Sequence, residues 1–353
     1  MSSAARQVTE ATDSARQQAA TRICFALTAR EREMFFNGTI HASDLLAASR
    51  WIDAEDLQPG VWEQTLRRLR PEVLVTGWST PPLAESWLTE ADCPLRYVCH
   101  VAGSVRQLVP RRYVERGGLI SNWGDSVSNQ VAEHALLLAL GALRNLPAWR
   151  PFFARAPSDR QIQELGTRTL FGRRVGIHGF GSVARALVAL LQPFGVPISI
   201  FSAGVPVEVI REAKLTSRAT LQELFETSDV LFECEALTAN SAGSVNSAVI
   251  DSLPHGAVFV NVGRGGLVDE GALVSAARSG RIRLALDVTA EEPLTSRSPV
   301  WGVPDALLSP HIAGPTRDRY GSCGEIVLDN LTRYLRGDQV RFAMSLTTYD
   351  RAT

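Results

Sequence analysis

Arg173 to Gly204 reads RRVGIHGFGSVARALVALLQPFGVPISIFSAG, and the order of residue types along it is strand, glycine turn, helix, strand. The run before Gly179 is short and apolar, as a buried strand is. From Ser182 a helical run continues without proline as far as Pro193. Gly179 permits the tight turn between them, Gly181 lets the backbone approach a pyrophosphate, and Ala184 takes the third small position, where helix and strand pack closely. The helix N-terminus then offers free amides and the positive end of its dipole to phosphate groups. A glycine turn alone is weak evidence, but its place between a strand and a helix points to a dinucleotide.

The second strand, PISIFS, ends at Ser202, about 20 residues after the glycines, where an Asp or Glu would hold the ribose hydroxyls of NAD. A carboxylate there would repel a 2′-phosphate, and Ser202 does not. No Arg or Lys follows directly to grip such a phosphate, the next being Arg211 and Lys214. The residues leave NAD and NADP nearly balanced, with a slight lean to NADP.

On both sides of this stretch the chain alternates two patterns. Upstream, RICFALT, VWEQTLRRLR, PEVLVTGW and PLRYVCHVAG alternate strand-like and helix-like runs, and downstream LQELFETS, DVLFECEA, GAVFVNV and RLALDV continue in the same way. Strands separated by helices pair in parallel, which predicts an α/β fold. Ser128 to Asn145, SNQVAEHALLLALGALRN, predicts a helix with apolar side chains on more than one face. LPAWRPFFARAPSDRQIQELGTRTLFG, rich in Pro, Arg and Gly, reads as a loop. At 353 residues the chain is long for one domain and comfortable for two.

The formal charge of -1 leaves no basic footprint for nucleic acid. No apolar run reaches the roughly 20 residues that span a bilayer, so neither nucleic acid nor a membrane is expected as a partner. Five scattered cysteines, with no CxxC pair, predict buried thiols, no metal site and a reducing cytoplasm. Met1 to Arg22 lacks the apolar centre of a secretory signal and carries Glu10 and Asp13, against a transit peptide. It reads as a flexible extension.

Three downstream segments carry candidate chemistry. Arg264 follows an apolar strand in NVGRGG and is suited to bidentate capture of a carboxylate. LALDVTAEEP ends a strand at Asp287 and then supplies Glu291 and Glu292, and SPHIAG presents His311 beside small residues. Singly, each has a structural reading: an ion-pair partner, a capping acid before Pro293, a satisfied core histidine. Together, downstream of a nucleotide turn, they make an anion clamp, a general acid/base and a carboxylate that orients it.

GIHGFGSVA, then NVGRGGLVDEGAL, LDVTAEEP and LSPHIAG, in that order, resemble the D-isomer-specific 2-hydroxyacid dehydrogenase family. The likeness extends upstream to GGLISNWGDSVSNQVAEHALLLALGALRN and, more loosely, to CHVAGSVRQLV, and covers about Arg22 to Asp338. It implies two doubly wound parallel-sheet domains, Rossmann-like and flavodoxin-like, with a cleft between them. Residues 126–312 would form the dinucleotide-binding domain, and 23–125 with 313–353 the substrate-binding domain. It further implies a homodimer and an oxidoreductase that moves a hydride from NAD(P)H to a small 2-oxo acid, giving a D-2-hydroxy acid. Arg264 would bind the substrate carboxylate, His311 would give a proton to the carbonyl oxygen, and Glu292 would hold the other ring nitrogen of His311. The cofactor would meet Gly179, Phe180, Gly181, Ser182, Val183, Ser202, Thr238, Val262, Gly263 and Asp287, the last at the nicotinamide carboxamide. The backbone of Ala102, Gly103, Ser104 and Val105 would meet the substrate carboxylate.

The chain departs from the family pattern at several places. Ser202 stands for the usual acid, and ECEALTANS has Ala236 where proline is common, with Glu233 and Glu235 near the expected cofactor wall, facing either solvent or ligand. Arg106 stands near a common Asp, as a surface residue or as a second anion contact. Trp78 and His100 end strand-like runs, as pocket or core residues. Glu292 sets the chain apart from formate dehydrogenases of this fold, which lack that acid. A dinucleotide-sensing or corepressor-like scaffold is the alternative function, and the presence of Arg264, Glu292 and His311 favours the enzyme.

Overall fold

Two all-parallel sheets organise the computed structural model, which describes residues 22–36 and 49–352. Except for Arg22, the extension expected at the amino terminus lies outside the described residues. One unit runs up to Gly124 and includes Asp318–Ala352; the other is Asp125–Arg317.

The first unit holds β1 (Ile23–Ala26), β2 (Arg50–Trp51), β3 (Val73–Thr76), β4 (Tyr97–His100) and β5 (Leu119–Ser121). Their order in the sheet is β2-β1-β3-β4-β5, the flavodoxin-like winding. Every residue of β1, β3 and β4 is buried, which is why these strands read as continuous apolar runs rather than alternating ones. Cys24, Leu74, Val98 and Ile120 pack with Trp62, Leu66 and Trp87 into one core. The long helix Tyr320–Arg336, which precedes the last helix Leu346–Arg351, ends at Gly337, whose φ of 75° is the left-handed stop that glycine favours. Its fully buried Asn330 accepts the Arg341 amide at 2.7 Å and donates to Ser121 Oγ at 3.2 Å, tying the end of the chain to β5.

The second unit holds β6 (Val175–His178), β7 (Ile198–Phe201), β8 (Thr216–Ser217), β9 (Val230–Glu233), β10 (Ala257–Asn261), β11 (Ile282–Leu286) and β12 (Leu307–Leu308). Their order is β12-β11-β10-β9-β6-β7-β8. The chain starts at β6, winds out through β7 and β8, and returns to add β9 on the other side. A topological switch point therefore lies between β6 and β9, where ligands bind outside the carboxyl ends of the strands. The glycine turn follows β6, at that point.

The helix predicted over Ser128 to Asn145 spans Ser128–Leu143. It buries Ala132, Ala135, Leu138, Ala139 and Ala142 against the helix Ser182–Leu191, the small residues permitting close approach, while Leu137 is exposed. The segment read as a loop contains a helix, Leu146–Ala154. Pro147 sits in its first turn, where the missing amide costs nothing, and Pro151 removes one internal hydrogen bond without ending it. Among the described residues no helix is long and apolar enough to cross a membrane.

Candidate active site

The loop after β12 carries His311 in a left-handed conformation, φ 53°. Such a backbone is unusual for a side chain with a Cβ and persists only where neighbours hold it. Asp287, just past β11 and 2% exposed, does the holding. Its carbonyl accepts the His311 amide at 2.9 Å, and its carboxylate accepts the amides of Ile312 and Ala313, both at 3.0 Å, and Ser309 Oγ at 2.6 Å. Burial pushes the Asp287 carboxyl up, but hydrogen bonds from His134, Ser309 and the two amides outweigh it and hold the group below the usual value. His134, on the helix Ser128–Leu143, brings Nε2 to 2.8 Å from Ser309 Oγ and 3.3 Å from Asp287 Oδ1. Sequence reasoning missed His134 and Ser309, because helical periodicity shows which face is apolar and not which polar residue on it meets a loop 175 residues away.

Glu292 bridges the loop after β11 to this histidine. Its Oε2 lies 2.8 Å from His311 Nδ1, and its Oε1 accepts the Thr289 amide at 3.2 Å. Arg264 follows β10 and donates from Nη1 to the carbonyl of Gly263 at 2.7 Å. Burial lowers the proton affinity of its guanidinium, and the charges of Glu292 and Asp287 oppose that. Gly265 leaves no room for a side chain beside Thr289, so the two loops that bear Arg264 and Glu292 pack backbone to backbone. The structure thus brings Arg264, Asp287, Glu292 and His311 to the carboxyl ends of β10, β11 and β12.

At the glycine turn the backbone fits a dinucleotide. Gly179 has φ 94°, and a Cβ there would come within 2.7 Å of Glu235 Cα. At Gly181 a Cβ would meet nothing within 4 Å, so space stands open before the helix Ser182–Leu191, whose N-cap is Gly181 and carries no capping side chain. Its first amides are free to meet phosphate. Phe180 is buried in the core with Arg185 over its ring, and Val183 packs on the same core. Val262 and Gly263 form the turn that leads to Arg264, tied by Val262 N to the Glu233 carbonyl and Gly263 N to Asn261 Oδ1. Thr238 turns the chain after β9 through Ser241.

Ser202 is not without an acid. Its Oγ donates to Glu235 Oε2 at 2.8 Å, so a carboxylate lies beside this position. The acid comes from the segment after β9 instead of from β7. Glu233, fully buried, pairs with His178 Nδ1 at 2.7 Å and accepts the Glu235 amide at 2.9 Å. Burial opposes the charged form of His178, and the Glu233 charge and hydrogen bond, with Glu235 behind them, outweigh it and raise its proton affinity.

In the first unit, the turn Ala102–Val105 follows β4. Asn122 Nδ2 donates to the Gly103 carbonyl at 2.6 Å, and a Cβ on Gly103 would meet the Trp123 ring at 2.7 Å. His100 behind this turn is core: it bonds Thr76 Oγ1 through Nδ1 at 2.9 Å, and burial pushes it down to about 4, against an opposing pull from the Ser104 backbone. Trp78 is half exposed and packs edge-on against Trp123 and Tyr320. Glu31 fixes the turn after β3 by accepting the Ser79 amide at 2.9 Å, and with Thr28 it caps the helix Ala29–Phe36. Arg106 is exposed, and its charge bears on Tyr349 and Asp350 of the last helix.

The family model described as "D-isomer specific 2-hydroxyacid dehydrogenase, NAD binding domain" matches residues 136–313. The 4-methyl-2-oxopentanoate reductase A of Aspergillus oryzae is 30% identical over 254 residues, 71% of this chain and 75% of that protein. The D-3-phosphoglycerate dehydrogenase of Methanocaldococcus jannaschii is 30% identical over 225 residues, 64% of this chain, which spans only 42% of that relative's length. Among solved structures, the NADPH-dependent glyoxylate/hydroxypyruvate reductase of Sinorhizobium meliloti, in complex with citrate, superposes with a TM-score of 0.71 at 25% identity, covering 94% of this chain and 99% of that one. With the family model spanning half of its length, and the motifs it matches standing at the ends of β6, β10, β11 and β12, the chain belongs to the D-isomer specific 2-hydroxyacid dehydrogenase family.

Proposed function

We propose that this protein is an NAD(P)H-dependent reductase of small 2-oxo acids that forms D-2-hydroxy acids reversibly. The observation that carries this reading is the pairing of His311 with Glu292 at 2.8 Å on loops adjoining the one that bears Arg264. Glu292 occupies Nδ1 and so sets the direction of the ring, which assigns proton transfer to Nε2. Reduced nicotinamide, when bound, supplies the hydride. His311 gives its proton to the carbonyl oxygen as the carbonyl carbon is reduced, which completes the alcohol. Arg264 holds the substrate carboxylate; its planar fork suits two parallel hydrogen bonds, and an incoming anion offsets the cost of its burial. Asp287, with its carboxylate buried and engaged by Ser309 and the Ile312 and Ala313 amides, keeps the His311 loop in place. The amides of Ala102–Val105 are proposed to bind the substrate carboxylate. We also propose a homodimer in which a second copy covers the exposed apolar side chains of Leu137, Leu146, Trp149 and Phe153.

The test is oxidation of NADH and NADPH by the purified protein against glyoxylate, hydroxypyruvate, an aryl pyruvate and 4-methyl-2-oxopentanoate. Turnover with at least one acid is expected, falling by roughly 100-fold or more in His311→Ala and with a raised KM in Arg264→Lys. Full turnover in His311→Ala would overturn the assignment.

A further inference from the structure

We propose that Glu235, presented by Ser202, reads the adenosine ribose of the cofactor and makes the protein select NADH over NADPH. This rests on the dinucleotide reading of the same site and adds to it the group that chooses between the two nucleotides.

The argument starts from strand order. β6 lies between β9 and β7, so the residues just after these three parallel strands form a row at the carboxyl end of the sheet: Glu235 past β9, Gly179 past β6, Ser202 past β7. Position 202 is where the second strand of this fold ordinarily presents an acid to the ribose hydroxyls. Here the hydroxyl of Ser202 donates to Glu235 Oε2 at 2.8 Å, so a carboxylate reaches across the end of β6 to that place. The crossing is built in. Gly179 has no side chain to obstruct it, and a Cβ there would strike the Glu235 backbone. The Ala236 amide donates to Glu235 Oε1 at 2.9 Å, and the Glu235 amide donates to the buried Glu233 carboxylate. Glu233 is in turn paired with His178 at the end of β6. The carboxylate at 235 is thus oriented from both sides.

A carboxylate accepts hydrogen bonds from a ribose diol, whereas a 2′-phosphate is an anion that cannot donate in the same way and is repelled. The segment directly after Ser202, Ala203 to Pro206, contains no cation to offset that repulsion. Like charges brought together at a binding site cost enough to suppress the wrong ligand by tenfold or more.

The experiment is direct binding by calorimetry of NADH and NADPH, and of ADP-ribose and its 2′-phosphate, to the full chain and to Glu235→Gln. The truncated nucleotides lack nicotinamide, so this readout does not depend on turnover. The wild-type protein is expected to bind NADH at least about tenfold more tightly than NADPH. In Glu235→Gln, NADPH affinity should rise by about tenfold while NADH affinity stays within about threefold, and the ADP-ribose pair should follow. Circular dichroism checks that the variant folds; if it does not, Ser202→Ala is expected to narrow the preference by weakening NADH. Equal affinities, tighter NADPH, or a preference unchanged in Glu235→Gln would overturn the role of Glu235 and leave the dinucleotide reading standing. Binding of none of the four would overturn both.

Discussion

His311 and Gly179 both take positive φ, for opposite reasons. Gly179 does so at no steric cost, because the turn needs a residue without a Cβ and the neighbouring strand leaves no room for one. His311 does so against its own preference, and Asp287 supplies what holds it: two backbone amides and Ser309 on one carboxylate, with the His311 amide on its carbonyl. Hydrogen bonds to a charged group contribute about 1.5–3 kcal/mol each. Asp287→Asn presents an amide NH2 to a backbone N–H and should cost about 2–4 kcal/mol at neutral pH, with kcat falling at least about tenfold as the His311 loop loosens. The pH dependence has a definite sign. Because the folded carboxyl titrates below the ordinary 3.8, its stabilisation is complete above that value and fades as pH falls through the lowered one. Urea unfolding of wild type and Asp287→Asn should therefore differ most at pH 7 and less near pH 3. An equal difference at both would show that the charge of Asp287 does not hold the loop.

Strands buried on both faces, such as β3, β4 and β10, were legible because they are continuous apolar runs bounded by turns. The two-residue strands β2, β8 and β12 were not, since pairing so short leaves no periodicity. The helix Leu146–Ala154 was hidden by its two prolines, although one stands where a helix begins and the other breaks a single bond. That helix buries Phe152 and turns Phe153 outward, 67% exposed. Phe153, with Leu146 and Trp149, belongs to the exposed apolar surface on which the proposed dimer rests. Phe153→Asp should leave the fold intact and convert a dimer to a monomer in sedimentation velocity. A wild-type monomer, or a variant that still dimerises, would remove the proposed interface.

Across the whole chain, what the sequence hid were pairings between distant segments. GxGxxA and Arg264 were legible because each follows a buried strand, and Glu292 and His311 because each adjoins a proline in a motif, EEP and SPH. The carboxylate at Ser202 was not, because it comes from Glu235, 33 residues downstream, through a strand order that no local pattern displays. His134, Ser309 and Asp287 likewise form a network only when the helix Ser128–Leu143 is laid beside the loop after β12. Family membership names a reaction class, and the chemistry proposed here makes a sharper demand, that the hydrogen reaching the substrate carbon come from the reduced nicotinamide and the oxygen-bound one from His311. The measurement that bears on this most directly is reduction of a 2-oxo acid by NADH, or NADPH, deuterated at nicotinamide C4, with the product read by NMR and chiral chromatography. Reduction with each C4 epimer should put deuterium at C2 of a D-2-hydroxy acid with one of them and not with the other. A product without label from either, or of L configuration, would contradict the account.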